Sequence, residues 1–340
     1  MKHIAFQPTT DIINRRLPFF LALEEWVAHR MPADDYFFSW QVSPTVICGR
    51  NQEIEKEVNL EYCRAQGIDV VRRRSGGGCV FADRQNFMFS FITASDKVVE
   101  VFAAYTAMIA ASLQKLGIDA VATGRNDITI DGKKVSGNAF YHVPGRSIAH
   151  GTMFYDFDPV HISNAITPSR AKLESKGVKS VPMRVTCLKN EGIGISAPEF
   201  EKFMITDITD SEPYVLTDAD IREVEEIEKG YYLPTFLRIG MGSKRGKEGS
   251  TNHVSNNTVI PGLGEFCVEY DRDPKDSTIR NFTISGDFFM SGDVERRLSE
   301  PLNGCRTDRD SLTARIAGID TAAVIPGLTP EILLSLILGE

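Results

Sequence analysis

The chain has 340 residues, a net charge of −8, 42% hydrophobic and 25% charged residues. That composition suits a globular protein of two domains with enough apolar material for sizeable cores, and the acidic balance argues against nonspecific binding to nucleic acid or to an anionic membrane. No apolar run approaches the length of a membrane span, and MKHIAFQPTTDIINRR lacks the apolar centre of a signal peptide. The six cysteines stand singly, with no CxxC, which fits reduced thiols in a cytoplasm better than a disulfide frame or a zinc site.

Helical spacing of Phe20, Leu23 and Val27 predicts a helix over Phe19–Arg30, followed by strands at Tyr36–Gln41 and Thr45–Cys48 around a Ser-Pro turn. Val58–Gln66 reads as a helix stopped by Gly67. Val70–Arg72 and Phe87–Thr93 read as buried strands on either side of SGGG. Val98–Leu116 is a long apolar helix. Asp131-Gly132 between alternating runs predicts a hairpin joining Asp127–Ile130 to Lys133–His142, and Ile148–Phe157 is a further strand. Pro168–Asn190 reads as a long cationic loop, and Glu199–Ile205 and Asp218–Lys229 as surface helices. Gly240–Asn257 is glycine, serine, asparagine and charge, which predicts a mobile connection. Beyond it, strands at Gly264–Arg272 and Ser277–Phe289 and helices at Val294–Leu302, Arg309–Ile316 and Pro330–Leu338 suggest a small α+β domain.

Two motifs carry chemistry. In RRRSGGGCVFADRQN (Arg72–Asn86), three arginines enter a corner of three glycines. No Gly-Lys-Ser/Thr follows and GxGxxG is absent, so this is neither a Walker loop nor a dinucleotide fingerprint. A side-chain-free backbone can lie against a ligand while guanidinium groups hold its carboxylate or phosphate oxygens. A tight turn with solvated arginines fits the corner equally well. The hairpin sharpens the choice. With Asp131-Gly132 as a two-residue turn, Thr129 faces Lys134 and Asp127 faces Ser136, so Lys134 rather than Lys133 is diagonal to Asp127 on a shared polar face. A simple cross-strand ion pair is the plainer reading of that hairpin alone. Together the motifs suit activation of a carboxylate by a nucleotide, which needs cations to hold two anions in line and a carboxylate for Mg²⁺.

RRRSGGGCVFADRQN, GRNDITIDGKKVSGNAF, HGTMFYDFD and KGVKSVPMRVTCL occur in this order. They resemble the signature segments of lipoate–protein ligase A over roughly residues 1–230, and ISGDFF at Ile284–Phe289 resembles part of that family's C-terminal accessory domain. The resemblance implies an α+β fold. Its catalytic domain, placed at 1–240, has a mixed, mainly antiparallel sheet with flanking helices of the class II synthetase-like, biotin/lipoate ligase type. A linker at 241–257 and an accessory domain at 258–340 complete the chain. It implies that lipoate and Mg-ATP give lipoyl-AMP, and that the lipoyl group then passes to a lysine of an apo lipoyl domain. Such acceptors belong to 2-oxoacid dehydrogenase acyltransferase subunits or are the glycine cleavage H protein.

By motif, Lys134 is the catalytic lysine. Arg73, Gly78, Cys79, Val80, Phe81, Asp127 and Lys134 are the residues expected around ATP and the adenylate, with Asp127 on the metal side. Arg73, Ser75, Gly76, Gly77, Gly78, Lys134, His150 and Gly151 are those expected around lipoate, and the loop near Lys172–Arg184 resembles a segment that closes over the adenylate. Cys79 replaces another small residue of the family. FLRIGMGSKRG replaces a tryptophan-bearing segment over Phe236–Gly246. Two rivals remain. One is an ATP-independent octanoyl or lipoyl transferase of the same fold using a thioester, for which Cys79 is the candidate. The other is a lipoate-binding protein without transfer. His150 reads as ordering a loop beside the site, and Trp26 and Trp40 as core.

Overall fold

The computed structural model describes residues 1–124, 126–169, 184–239 and 252–340. The strands in chain order are β1 (Lys2–Ala5), β2 (Tyr36–Trp40), β3 (Thr45–Cys48), β4 (Asp69–Arg72), β5 (Val80–Ala82), β6 (Asn86–Thr93), β7 (Ala120–Ala122), β8 (Asp127–Ile130), β9 (Lys133–Val143), β10 (Arg146–Phe154) and β11 (Ser211–Val215). Eight of them form one sheet in the order β11-β1-β2-β6-β10-β9-β8-β7. Only β1 pairs in parallel within it, with β11 and β2; every other pairing is antiparallel. β3 stands between β4 and β5 in a second, three-stranded sheet. The fold is therefore α+β with a mixed, mainly antiparallel sheet.

Two helices show how sequence becomes packing. α1 (Leu17–Arg30) carries Pro18 in its first turn, which its fixed φ suits, and every residue from Leu17 to Ala28 is buried, Glu24 and Glu25 included. The expectation of a one-sided stripe is too narrow: α1 fills one face of the large sheet against Trp40, Met88 and Ile148. The opposite face is covered by the helices Val98–Lys115 and Ala197–Ile208, which pack Phe102, Ile109 and Phe200 onto Phe89 and Ile128. The second of these opens with a capping box from Ser196 and Glu199, so it begins earlier than its apolar pattern alone suggests.

The C-terminal unit has its own sheet, β12 (His253–Ile260), β13 (Gly264–Arg272) and β14 (Ile279–Gly286), and its own apolar cluster with the helices Arg309–Ile316 and Pro330–Leu338. The expectation of a mobile connection through Asn257 fails over its last five residues. His253–Asn257 pair with Asp271–Cys267, so this polar run is the outer strand of a sheet, where polar side chains meet water at little cost. Most of the rest of that stretch, and residues 170–183 of the expected cationic loop, lie outside the described residues.

The two units meet at the glycine corner. Gly77 N–H donates to the Phe288 carbonyl at 3.0 Å and Gly286 N–H to the Asn51 carbonyl at 2.9 Å. A Cβ on Gly76 would stand 2.5 Å from the Phe288 oxygen, closer than any side chain tolerates, so this glycine is needed for backbone-to-backbone contact. Gly76→Ala is therefore expected to loosen the docking while leaving the large sheet folded. Amide hydrogen exchange would read it, with the Gly77 and Gly286 amides exchanging at least about tenfold faster, a loss of about 1.4 kcal/mol, and the β6 and β10 amides unchanged.

Candidate active site

A cavity of about 620 Å³ lies between the large sheet, the glycine corner and the C-terminal unit. Arg73, Gly77, Gly78, Cys79, Val80, Phe81, Asp127, Lys134, His150 and Gly151 all line it, so residues from separated stretches of sequence converge. Ser75 and Gly76 do not line it. Ser75 is fully buried behind the wall, and Gly76 is turned to the C-terminal unit. Leu21, Trp40, Ile47 and Met88 add an apolar share of the lining, and Val259–Gly262 and Phe289 close it from the C-terminal side. Phe289 stacks on Phe140 with ring centroids 5.5 Å apart.

The hairpin turns at Asp131 (φ 48°) and Gly132 (φ 76°), the left-handed pair that a tight two-residue turn requires. Thr129 faces Lys134 as read from the sequence. The register then slips: a bulge between Ile128 and Thr129 sets Asp127 opposite Gly137, not Ser136. The lysine side chain still spans to the acid. Lys134 Nζ lies 2.7 Å from Asp127 Oδ1, and Lys133 is exposed. Gly137 is what permits this path, since a Cβ there would stand 2.5 Å from Lys134 Nζ. Arg184 binds the other oxygen of Asp127, and the Lys134 carbonyl accepts from Thr186 N–H at 2.8 Å. Two cations thus share one nearly buried carboxylate at the polar end of the cavity.

The corner arginines are turned mainly to protein oxygens and are neither solvated nor free for a ligand as a group. Arg72 is 1% exposed and donates to the Gly49, Arg50, Gln52 and Leu237 carbonyls. Burial pulls its pKa down to about 10. Arg74 is paired with Glu25 at 2.5 Å and lies over Tyr231 and Phe236. Arg73 reaches the cavity, but its donors hold the corner itself: Nη2 to the Gly76 and Gly78 carbonyls at 2.6 and 2.9 Å, Nη1 to the Ile47 carbonyl at 3.1 Å, Nε to Ser75 Oγ at 2.9 Å. Carbonyls turned inward need donors, and burial of the guanidinium that supplies them lowers its pKa.

His150 lies on β10 and reaches Ser75 in the loop that carries the glycine corner. Its Nδ1 is 2.9 Å from the Glu24 carboxylate, and its Nε2 is 2.7 Å from Ser75 Oγ. Glu24 accepts as well from Ser90 Oγ at 2.6 Å, which in turn accepts from Trp40 Nε1 at 2.9 Å. Facing the carboxylate, Nδ1–H is the donor there, and Nε2 shares a hydrogen bond with Ser75 Oγ, which also accepts from Arg73 Nε. Glu24 escaped the sequence reading because it sits inside an apolar helix. The signal that could have found it is an acid in a segment hydrophobic on all sides, since such an acid must be paired. The contribution of the C-terminal unit had a signal in ISGDFF, but no spacing rule puts Phe289 over the corner.

A glycine corner and a cation-flanked carboxylate facing one capped cavity define a ligase-type site for a small acid and a nucleotide. Residues 18–209 match the family described as Lipoyl protein ligase A/B catalytic domain, and residues 263–337 match Bacterial lipoate protein ligase C-terminus. The chain is 36% identical to lipoate–protein ligase 1 of Staphylococcus aureus, over 88% of this chain and 90% of that protein. It is 32% identical to a lipoate–protein ligase of Bacillus subtilis over 93% and 95%. A Plasmodium falciparum protein solved in complex with lipoate has the same fold, with a TM-score of 0.77 at 18% identity over 100% of this chain and 99% of that one. A lipoate–protein ligase A bound with ATP gives a TM-score of 0.59 at 21% identity, over 69% of this chain and 98% of that one. The chain belongs to the lipoate–protein ligase family.

The geometry makes two expectations. Gly137→Ala displaces only the flexible end of Lys134, so thermal unfolding stays within a few degrees while turnover falls roughly 10- to 100-fold, the scale for ångström misplacement of a catalytic group. Glu24→Gln cannot accept from both Ser90 and His150 as a carboxylate does, and is expected to cost about 1–3 kcal/mol in denaturant unfolding. An unchanged unfolding midpoint would show that the network contributes nothing to the corner.

Proposed function

We propose that this chain activates lipoate with ATP and transfers the lipoyl group to a lysine of a lipoyl domain. The observation that carries the residue assignment is the cluster of Lys134, Asp127 and Arg184 at the polar end of a cavity whose remaining lining is rich in apolar side chains. The apolar lining suits an aliphatic acid, and the cations suit its carboxylate and the α-phosphate. In the first step a carboxylate oxygen bonds to the α-phosphorus and the bond to the pyrophosphate oxygen breaks. In the second the acceptor amine bonds to the carbonyl carbon, AMP leaves with the bonding pair, and the amine proton passes to water or phosphate.

Within this reading Lys134 is the catalytic residue. Its ammonium, held by Asp127 before substrates arrive, is the compact charge that aligns the acid oxygen with the phosphorus and stabilises the charge that develops there. Arg184 is placed to exchange Asp127 for phosphate. Gly77, Gly78, Cys79, Val80 and Phe81 offer backbone to the nucleotide and acyl chain, and Gly151 leaves room for Asn138, whose Oδ1 a Cβ there would meet at 1.9 Å. Arg73, Ser75 and His150 hold that surface in shape; with both ring nitrogens engaged, His150 positions Ser75 rather than taking a proton from the acceptor. Asp127 fits Mg²⁺, a hard oxygen ligand beside the phosphate site, since this ion needs only one or two carboxylates with the phosphates. When bound, Mg²⁺ would neutralise phosphate charge and make the α-phosphorus more electrophilic.

The reading extends to a catalytic unit at 1–240, an accessory unit that begins with β12 at His253 and runs to 340, and a cytoplasmic setting. Among the described residues no helix is long and apolar enough to cross a membrane. The archaeal lipoylation system of Thermoplasma acidophilum comprises a bi-partite lipoate protein ligase and its E2 lipoyl domain, which supports a lipoyl domain as acceptor here. Acyltransferase subunits of 2-oxoacid dehydrogenases and the glycine cleavage H protein are the proposed carriers. Incubation with lipoate, Mg-ATP and apo lipoyl domains, read by intact mass, tests the whole reaction, and a mass gain without ATP would favour the thioester transferase. Lys134→Ala should lower ATP–pyrophosphate exchange at least about 100-fold, a barrier increase of about 2.7 kcal/mol, and Lys133→Ala should leave most of it. Equal losses would refute the assignment.

A further inference from the structure

Cys48 ends β3, and Cys79 stands one residue before β5. The antiparallel register pairs Thr45 with Ala82, Val46 with Phe81 and Ile47 with Val80, so the next rung sets Cys48 opposite Cys79. Directly opposed residues in such a pair have Cα atoms about 4.5–5.5 Å apart, within the span of about 4.4–6.8 Å that a disulfide bridges. The two sulfurs are 3.3 Å apart. Closing them to a bond of about 2.0 Å needs only side-chain rotation and a small strand adjustment.

The two thiols are unequal. Cys79 lines the cavity and is partly exposed, whereas Cys48 is fully buried behind it. A reagent in the cavity therefore meets Cys79 first, and Cys48 is the sulfur placed to resolve it. Cys63 belongs to the same apolar cluster as Cys48 and is the competing partner.

We propose that Cys48 and Cys79 form a redox-active dithiol, closed into a cross-strand disulfide by a small disulfide that enters the cavity. The Cys79 thiol gives its proton to water, and the thiolate attacks one sulfur of the incoming disulfide. That S–S bond breaks, and the first leaving thiolate is protonated. The Cys48 thiol loses its proton in turn, its thiolate attacks Cys79 Sγ, the mixed disulfide breaks, and the second thiolate leaves and is protonated. Two protein thiols are oxidised and one small disulfide is reduced to two thiols. The bond ties the glycine corner to β3 and removes Cys79 from its 3.2 Å contact with Gln52 Oε1. None of this depends on the chain using lipoate or ATP.

The full chain is incubated with glutathione disulfide, quenched in denaturant with N-ethylmaleimide, and analysed by intact mass and peptide mapping. The expected product has lost two hydrogens, carries four maleimides where the six free thiols of the reduced chain would carry six, and yields a linked Cys48–Cys79 peptide that dithiothreitol releases. Cys63→Ala still closes. Cys79→Ala does not, and Cys48→Ala stops at glutathione bound to Cys79, circular dichroism confirming that each variant is folded. A wild-type chain that stops at the mixed disulfide, links Cys48 to Cys63, or keeps six reactive thiols overturns the proposal. Loss of lipoate activity would leave these masses unchanged, so failure of the ligase reading and failure of this one are distinguishable.

Discussion

The site depends on one buried cation. Arg73 sits where four backbone and side-chain oxygens of β3 and the glycine corner converge, and its guanidinium is what lets those oxygens face inward. Without a cation the carbonyls of Gly76 and Gly78 would be desolvated with no partner, a cost of a few kcal/mol each. The corner then has a fixed shape. Its outer edge can meet the C-terminal unit backbone to backbone, and its inner edge can serve as a cavity wall. The chain from Ser75 through His150 to Glu24 extends this control into α1, so a helix buried along most of its length is tied to the wall of the site. That tie is a hydrogen-bonded path through side chains that are all buried.

Charge at the other end of the cavity is arranged for exchange rather than for stability. Asp127 holds Lys134 and Arg184 together, although two cations side by side repel each other. In the proposed reaction, anionic substrates would offer both of them new partners, so binding would swap counterions without uncovering a bare charge. The missing side chain of Gly137 leaves room for that cluster, because a Cβ there would push into the ammonium of Lys134. The C-terminal unit completes the enclosure. Phe289 joins the aromatic cluster of Phe102 and Phe140, and Lys56 bridges to Glu269 across the junction at 3.4 Å.

Local patterns in the sequence determined a large part of this. The periods of 3.6 and 2 placed the long helices and the central strands, Asp131-Gly132 specified a two-residue turn, and face alternation selected Lys134 over Lys133. These are short-range consequences of backbone geometry, so they survive without knowledge of the fold. The family resemblance rested on four ordered segments and needed no structure. Short strands such as β7 and β11 were not legible, because three to five residues carry too little pattern and take their pairing from neighbours distant in sequence.

Tertiary structure decided what those local pieces do. Three consecutive arginines look alike in sequence, yet Arg72 binds four carbonyls, Arg73 braces the corner and Arg74 pairs with Glu25, since each points to a different set of oxygens. Glu24 became a partner of His150 through a contact spanning 126 positions. Gly76 proved to face Phe288 and not the cavity. In each case the deciding quantity is the free energy of desolvating a polar group or of closing two backbones together. That quantity is set by which distant atoms arrive, and no local window of sequence contains it.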